Sequence, residues 1–317
     1  MKRILAMITA GLMMAALSAS ITPASADNSY DLTVTVDTTG YRKPISPYIY
    51  GINYIRRGEA PNVTTFSARQ GGNRHSAYNW ENNASSAGAD YKHYSDAYLV
   101  NFDKASLAIP GVNALEFAED MAAQNTDYKI TTVQMAGYAA ADTDGEVTAD
   151  EIAPSARWIP VYPQKNAPFS MTPDTTDNAV YMDEYVNYLV TKLGDSATKT
   201  GIQAYSLDNE PTLWSSTHAR MHPVQTTCEE IVSKSIEYAS AINLLIRVQM
   251  FTAVYCTASM HTSRSVMHLT GRRSAQAITG SSPIISIRWQ RRNRRTESDL
   301  WMCSICIITP RQRELTV

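Results

Sequence analysis

The run GIQAYSLDNEP (Gly201–Pro211) changes character half-way along. Gly201–Leu207 is short, largely apolar and bounded by a glycine, as expected of a buried strand. Asp208-Asn-Glu210 then places two carboxyl groups and an amide directly beyond its end, and Pro211 turns the chain. A strand that stops on acids is characteristic of parallel βα architectures, where the C-terminal ends of the strands gather the reactive groups. By themselves, Asp208 and Glu210 read equally well as solvated loop acids or a helix cap.

Working outward, the chain alternates. Asn113–Gln124 puts Leu115, Ala118, Met121 and Ala122 on one helical face, and Lys129–Met135 reads as a strand. Tyr181, Tyr185, Tyr188 and Leu189 recur at helical spacing, with Gly194 suited to the helix end. Downstream of the decisive run, Thr227-Cys-Glu-Glu230 has the form of a capping box, and Ile231, Ser235, Ile236, Ala239 and Ile242 continue a helical face. Strands separated by such helices predict βα units and a parallel sheet, either closed or open. Residues 40–110, rich in Gly, Asn, Ser and Tyr, predict long ordered loops or short elements. Asp31–Asp37 alternates polar and apolar residues and predicts a strand.

The 317 residues are 44% hydrophobic and 18% charged, enough apolar material for a sizeable core. Met1-Lys2-Arg3, the apolar run Ile4–Leu17 and Ala24-Ser25-Ala26 form the three parts of a secretory signal peptide, too short for a membrane span. The mature chain is expected to begin at Asp27 and to be secreted, or periplasmic if the host has an outer membrane. No membrane association is expected once the signal is removed. Of the four cysteines, Cys256, Cys303 and Cys306 lie in the C-terminal stretch and only Cys228 outside it, so no disulfide framework is expected. A single CxxC (Cys303–Cys306) makes neither a zinc site nor a redox motif.

Four long blocks carry a resemblance. YSLDNEPTLWSSTHARMHP (Tyr205–Pro223), RQGGNRHSAYNWENNASSAGADYKHYSDAYL (Arg69–Leu99), TTVQMAGYAAADTDGE (Thr131–Glu146) and NAPFSMTPDTTDNAVYMDEYVNYL (Asn166–Leu189) resemble glycoside hydrolase family 44, the cellulase J family. The resemblance covers residues 27–242 and implies the N-terminal part of a catalytic module. It implies an α/β fold, a TIM-like (β/α)8 barrel, here incomplete, with a small β-sandwich to which Asp31–Asp37 contributes. It implies retaining hydrolysis of β-1,4-glucosidic bonds in polysaccharide or cello-oligosaccharide. Xyloglucan and xylan are alternatives within the family.

By position, Glu210 matches the family's proton donor, and Asn209 the residue beside it, a candidate for binding a sugar hydroxyl. Retention needs a second carboxyl group about 5 Å away as nucleophile, and no counterpart is found in this chain. Trp80 and Trp214 are the first candidates for stacking on pyranose rings, followed by Tyr78 and Trp158, with core packing the alternative for each. His218 and His222 are candidates for bonding sugar or Glu210, or for fixing their loop. No cofactor is expected. Asp142-Thr-Asp144-Gly145-Glu146, with Glu151 beyond, has part of the spacing of a calcium loop, but Ala140 stands at its first position, so a plain turn is the better reading.

Residues 244–317 do not continue the family pattern. They carry eleven Arg, no Lys and three acids, a net +8 against −10 for the rest. The cluster Arg288–Arg295 would suggest a nucleic-acid patch, but the genetic code offers a simpler origin. Degenerate codons for Ile246–Cys256, read one nucleotide earlier, permit DPSADVYGGLLYG, with the V after the second D forced. The same shift on Trp301–Arg311 permits LDVLDLHYYPE, its first DV forced. Both strings resemble the family, so residues 243–317 are expected to be an out-of-frame tail. No nucleic-acid partner is expected, and the 317-residue chain is expected to hydrolyse cellulose poorly or not at all. The hypothesis from another class is a non-catalytic carbohydrate-binding protein, which would not need Glu210.

Overall fold

The computed structural model describes residues 40, 44–54, 56, 58 and 65–243, and the backbones of three strands further on. Four strands form an all-parallel sheet in chain order: β1 (Gly51–Tyr54), β2 (Ser67–Gln70), β3 (Tyr128–Val133) and β4 (Ala204–Leu207). The register pairs Arg69 with Ile130 and Leu207 with Val133. Helix α1 (Val112–Ala123) connects β2 to β3, and helix α2 (Met182–Leu193) lies between β3 and β4. Helix α3 (Cys228–Asn243) follows β4. The expected alternation is therefore present as an open sheet of four strands, and among the described residues it does not close into a barrel.

The local causes are plain. Helix α1 buries Ala118, Met121 and Ala122 of the predicted face, together with Val112, Ala114 and Phe117, while Leu115 is only partly buried. It starts at Gly111, whose φ of +62° suits a residue without Cβ and whose surroundings are the rings of Tyr185 and Tyr188. Helix α2 buries Met182, Tyr185, Val186, Leu189 and Leu193 and stops at Gly194, φ +86°. The capping box of α3 is formed from one side, the Glu230 amide donating to Thr227 Oγ1 at 3.1 Å.

The core lies between sheet and helices. Trp80, one of its three tryptophans, is stacked on Tyr185 and tilted against Tyr188, both ring centroids 5.4 Å away.

Between β2 and α1 the chain makes short elements, as the Gly/Asn/Ser composition predicts. Asn73–Ala77 is a 3-10 turn, and the short strands 85–86 and 94–96 pair antiparallel. Strands β1 and β2, four residues each, also lie in this stretch and are among its short elements. The signal peptide 1–26 and the strand expected at Asp31–Asp37 lie outside the described residues. Within 243–317, the backbones of Val254–Ser259, Ile284–Arg291 and Leu300–Ile308 form an antiparallel sheet with 300–308 in the middle. The side chains on which an out-of-frame origin bears lie outside the described residues.

Candidate active site

The C-terminal ends of β2, β3 and β4 meet at the decisive turn. Asp208, directly after β4, continues the ladder through its amide, which donates to Val133 O at 2.8 Å. Its side chain is no solvated loop acid. It is 3% exposed and accepts five hydrogen bonds. Oδ1 accepts from Ser76 Oγ, from the Asn209 amide at 2.7 Å and from Trp214 Nε1 at 3.3 Å. Oδ2 accepts from the amides of Met135 (2.7 Å) and Ala136 (3.0 Å). Burial pushes the Asp208 pKa up, and these donors pull against it.

Asn209 is held as firmly. Arg69 Nη2, at the end of β2, donates to its Oδ1 at 2.8 Å. Because a guanidinium only donates, this contact fixes which end of the amide is oxygen. Nδ2 then faces Asn73 Oδ1 at 3.1 Å and Glu210 Oε2 at 3.5 Å. Both ends of the Asn209 amide therefore have partners in the protein, its oxygen keeping a second lone pair. Arg69 folds back over Gly71, where a Cβ would meet the guanidinium. Burial lowers the Arg69 pKa, while the charges of Glu210 and Asp208 raise it.

Glu210 itself is exposed at the mouth of the sheet, on a left-handed backbone (φ +44°, ψ +55°), and its carbonyl accepts from the Leu213 amide at 2.8 Å. Pro211 opens the 3-10 turn that follows. Glu210 thus stands directly past the end of β4, beside Asn209, which in turn bonds Arg69 and Asn73.

The aromatic candidates are corrected. Trp80 and Trp214 have no exposed surface, Tyr78 and Trp158 are 3% exposed, and no ring face is open to a pyranose. Trp80 is core. Trp214 spends its N–H on Asp208 and lies between the His222 ring and the Lys234 ammonium. His218 is 1% exposed, its ring against the backbone of Gly88, and burial lowers its pKa to about 4. Buried there, its ring presents no surface to a sugar. His222 bonds Glu230, at 2.8 Å.

Sequence reasoning missed Arg69, Asn73 and Ser76 as partners of the turn, and the exposed rings of Tyr91 and Tyr94, packed edge to face at 5.6 Å. Asn73 Nδ2 donates to Asp90 at 2.9 Å, so the segment bearing Tyr91 is linked through Asn73 and Asn209 to Glu210. All five lie in the quoted run 69–99, but exposure and pairing are not written in residue type.

The acidic loop centres on a guanidinium. Arg157 Nε donates to Asp142 at 2.8 Å, and Nη1 reaches Glu151 at 3.3 Å. Among the described residues no group of three or more His, Cys, Asp or Glu is placed to hold a metal.

This geometry has close counterparts. The model of glycoside hydrolase family 44 matches residues 81–267, more than half of the chain and past the 242 boundary of the quoted blocks. Endoglucanase A of Paenibacillus lautus is 47% identical over 237 residues, 72% of this chain and 33% of that protein. The beta-mannanase/endoglucanase A of Caldicellulosiruptor saccharolyticus is 46% identical over 215 residues, 67% of this chain and 16% of that one. Among solved structures, the family 44 endoglucanase Cel44A of Clostridium thermocellum superposes with a TM-score of 0.61 at 46% identity, over 66% of this chain and 41% of that chain. A family 44 xyloglucanase of Paenibacillus polymyxa with xyloglucan gives 0.61 at 44%, with the same coverage. The chain spans a third or less of the length of these curated relatives. A parallel sheet ending on an exposed glutamate and likeness over two thirds of its residues lead to one conclusion: the chain belongs to glycoside hydrolase family 44.

Proposed function

We propose that the chain is the N-terminal part of a retaining β-1,4-glucan hydrolase module in which Glu210 is the general acid/base. The observation that carries this is the setting of Glu210: an exposed carboxyl group on an immobilised turn at the C-terminal mouth of a parallel sheet. Protonated Glu210 would give its proton to the glycosidic oxygen as the C1–O bond breaks, while a second carboxylate attacks C1 from the opposite face. Water, deprotonated by Glu210, would then release the sugar. No cofactor enters these steps. The sheet in this reading is the first part of a TIM-like barrel, accompanied by a small β-sandwich, and the product is exported.

The relatives' names, endoglucanase and xyloglucanase, support a β-glucan substrate. Within that class Tyr91 and Tyr94 are the exposed rings nearest in connectivity to Glu210, and we assign them the stacking role that Trp80 and Trp214 cannot fill. The test is reducing-sugar release from carboxymethylcellulose by the full-length enzyme and its Glu210→Gln variant. A loss of roughly 10²-fold or more is expected; equal activity of the two would remove Glu210 from the reaction. Retained binding without wild-type turnover would instead favour a carbohydrate-binding protein.

A further inference from the structure

We infer that Asp208 is a positioning residue, the buried anchor that holds the strained turn and thereby aims Glu210 into the mouth of the sheet; this rests on the acid/base reading of Glu210. Asp208 and Glu210 both adopt left-handed backbone conformations, with φ of +62° and +44°. Such a conformation is unfavourable for a non-glycine residue, so it persists only where its surroundings over-determine it. The five hydrogen bonds to Asp208 provide that. They come from three separate parts of the chain: Ser76 before α1, Met135 and Ala136 after β3, and Asn209 and Trp214 in the turn's own segment.

The same geometry excludes a direct role. A carboxylate 3% exposed, with both oxygens occupied by donors, has no face from which to reach an anomeric carbon. Asp208 therefore acts through its neighbours. Asn209 carries the constraint outward, because its amide bonds Arg69 and Asn73 and meets Glu210 Oε2.

The charge and symmetry of a carboxylate are required. In Asp208→Asn, one side of the new amide must face N–H groups whichever way it turns. On the Oδ1 side stand the Asn209 amide and Trp214 Nε1; on the Oδ2 side stand the amides of Met135 and Ala136. Either orientation sets an NH2 group against two donors, and the turn must shift. Ser76→Ala removes a single donor, leaves the other four, and is the milder variant should Asp208→Asn fold poorly.

Leaving-group dependence tests the idea. A cello-oligosaccharide needs a proton donor for its departing sugar, whereas 2,4-dinitrophenyl β-cellobioside does not. In the full-length enzyme, kcat/KM on the oligosaccharide is expected to fall about 10²-fold in Asp208→Asn and several-fold in Ser76→Ala. On the aryl glycoside both variants should stay within about three-fold of wild type, as Glu210→Gln should. If Glu210→Gln shows this selectivity while Asp208→Asn and Ser76→Ala lose equally on both substrates, or on neither, the positioning role is overturned and the acid assignment stands. If Glu210→Gln itself is unselective, the acid assignment falls and the positioning role with it.

Discussion

Arg69, at the end of β2, donates to the side-chain oxygen of Asn209 across the mouth of the sheet at 2.8 Å, tying two strands' ends together beside Glu210. The contact joins residues 140 positions apart and brings a positive charge to the site without a direct bond to Glu210. A lysine has a single ammonium on a flexible stem and cannot reproduce the fixed fork of a guanidinium. Arg69→Lys is expected to lower kcat/KM about 10²-fold through misplacement of the turn, with the far-ultraviolet circular dichroism unchanged. A variant with wild-type kcat/KM would show that Asn209 needs no such partner.

Trp80 presents a different expectation. With no exposed surface and two tyrosine rings against it, its indole contributes packing and nothing to substrate contact. Trp80→Ala is expected to destabilise the fold by about 3–5 kcal/mol, read as a lowered midpoint in chemical denaturation. The KM of the fraction that remains folded should be unchanged. A selective rise in KM at wild-type stability would restore Trp80 to the substrate site.

These residues also show what the sequence made legible. Helices α1, α2 and α3 were readable because their apolar positions repeat at helical spacing, and β4 because its apolar run stops abruptly at Asp208. Strands β1 and β2 were not. Ser67-Ala-Arg-Gln70 is polar because its side chains bond outside the strand, Ser67 to Tyr48 O and Gln70 to Asn113 O, so no alternation marks it. The position of Glu210 was readable from its spacing after β4. The burial of Trp80, Trp214 and His218 was not, since each sits in a polar run that reads as surface and is covered in part by residues distant in sequence: Tyr185 and Tyr188, Lys234, and Gly88 respectively.

Tyr91 is 56% exposed and Tyr94 37%, the two rings edge to face. An open tyrosine face against the C–H face of a pyranose is worth about 1 kcal/mol, comparable to an aromatic pair. Tyr91→Ala is therefore expected to raise KM for cello-oligosaccharides roughly five-fold with kcat unchanged. Unaltered KM across oligosaccharides of increasing length would show that sugars do not pass over this ring.

Stability should depend on pH through the buried histidines. Burial lowers the pKa of His75 to about 3 and of His218 to about 4, from 6.5. Below pH 6.5 the unfolded chain takes up protons that the folded chain refuses. The stabilisation from neutral histidines is therefore full above pH 6.5 and is lost progressively as pH falls toward 4. His218→Phe is expected to flatten this part of the profile by removing one of the two groups, on the order of 2 kcal/mol between pH 7 and 4. Thermal melts at half-unit pH steps would show it; wild-type and variant curves of identical slope would mean that His218 takes up its proton equally in the folded and unfolded chain, its pKa not lowered by burial.

The C-terminal stretch leads to the last expectation. Residues 244–317 hold eleven arginines and no lysine, while the preceding residues hold an excess of acids. A functional basic surface would use both cations; arginines alone, together with strings that regain family character under one constant shift, point to a change of reading frame near Ile242–Leu245. The family match runs to residue 267, past that point, and so stands against a slip as early as Ile242–Leu245. We expect the nucleotide sequence of codons 240–250 to reveal an offset of one nucleotide whose correction restores DPSADVYGGLLYG after α3. The corrected product, expressed beside the 317-residue chain, is expected to exceed it in turnover of cello-oligosaccharides by at least 10²-fold, since retaining cleavage needs a second carboxylate opposite Glu210. Robust, Glu210-dependent turnover by the 317-residue chain would show that residues 244–317 are a working part of the enzyme.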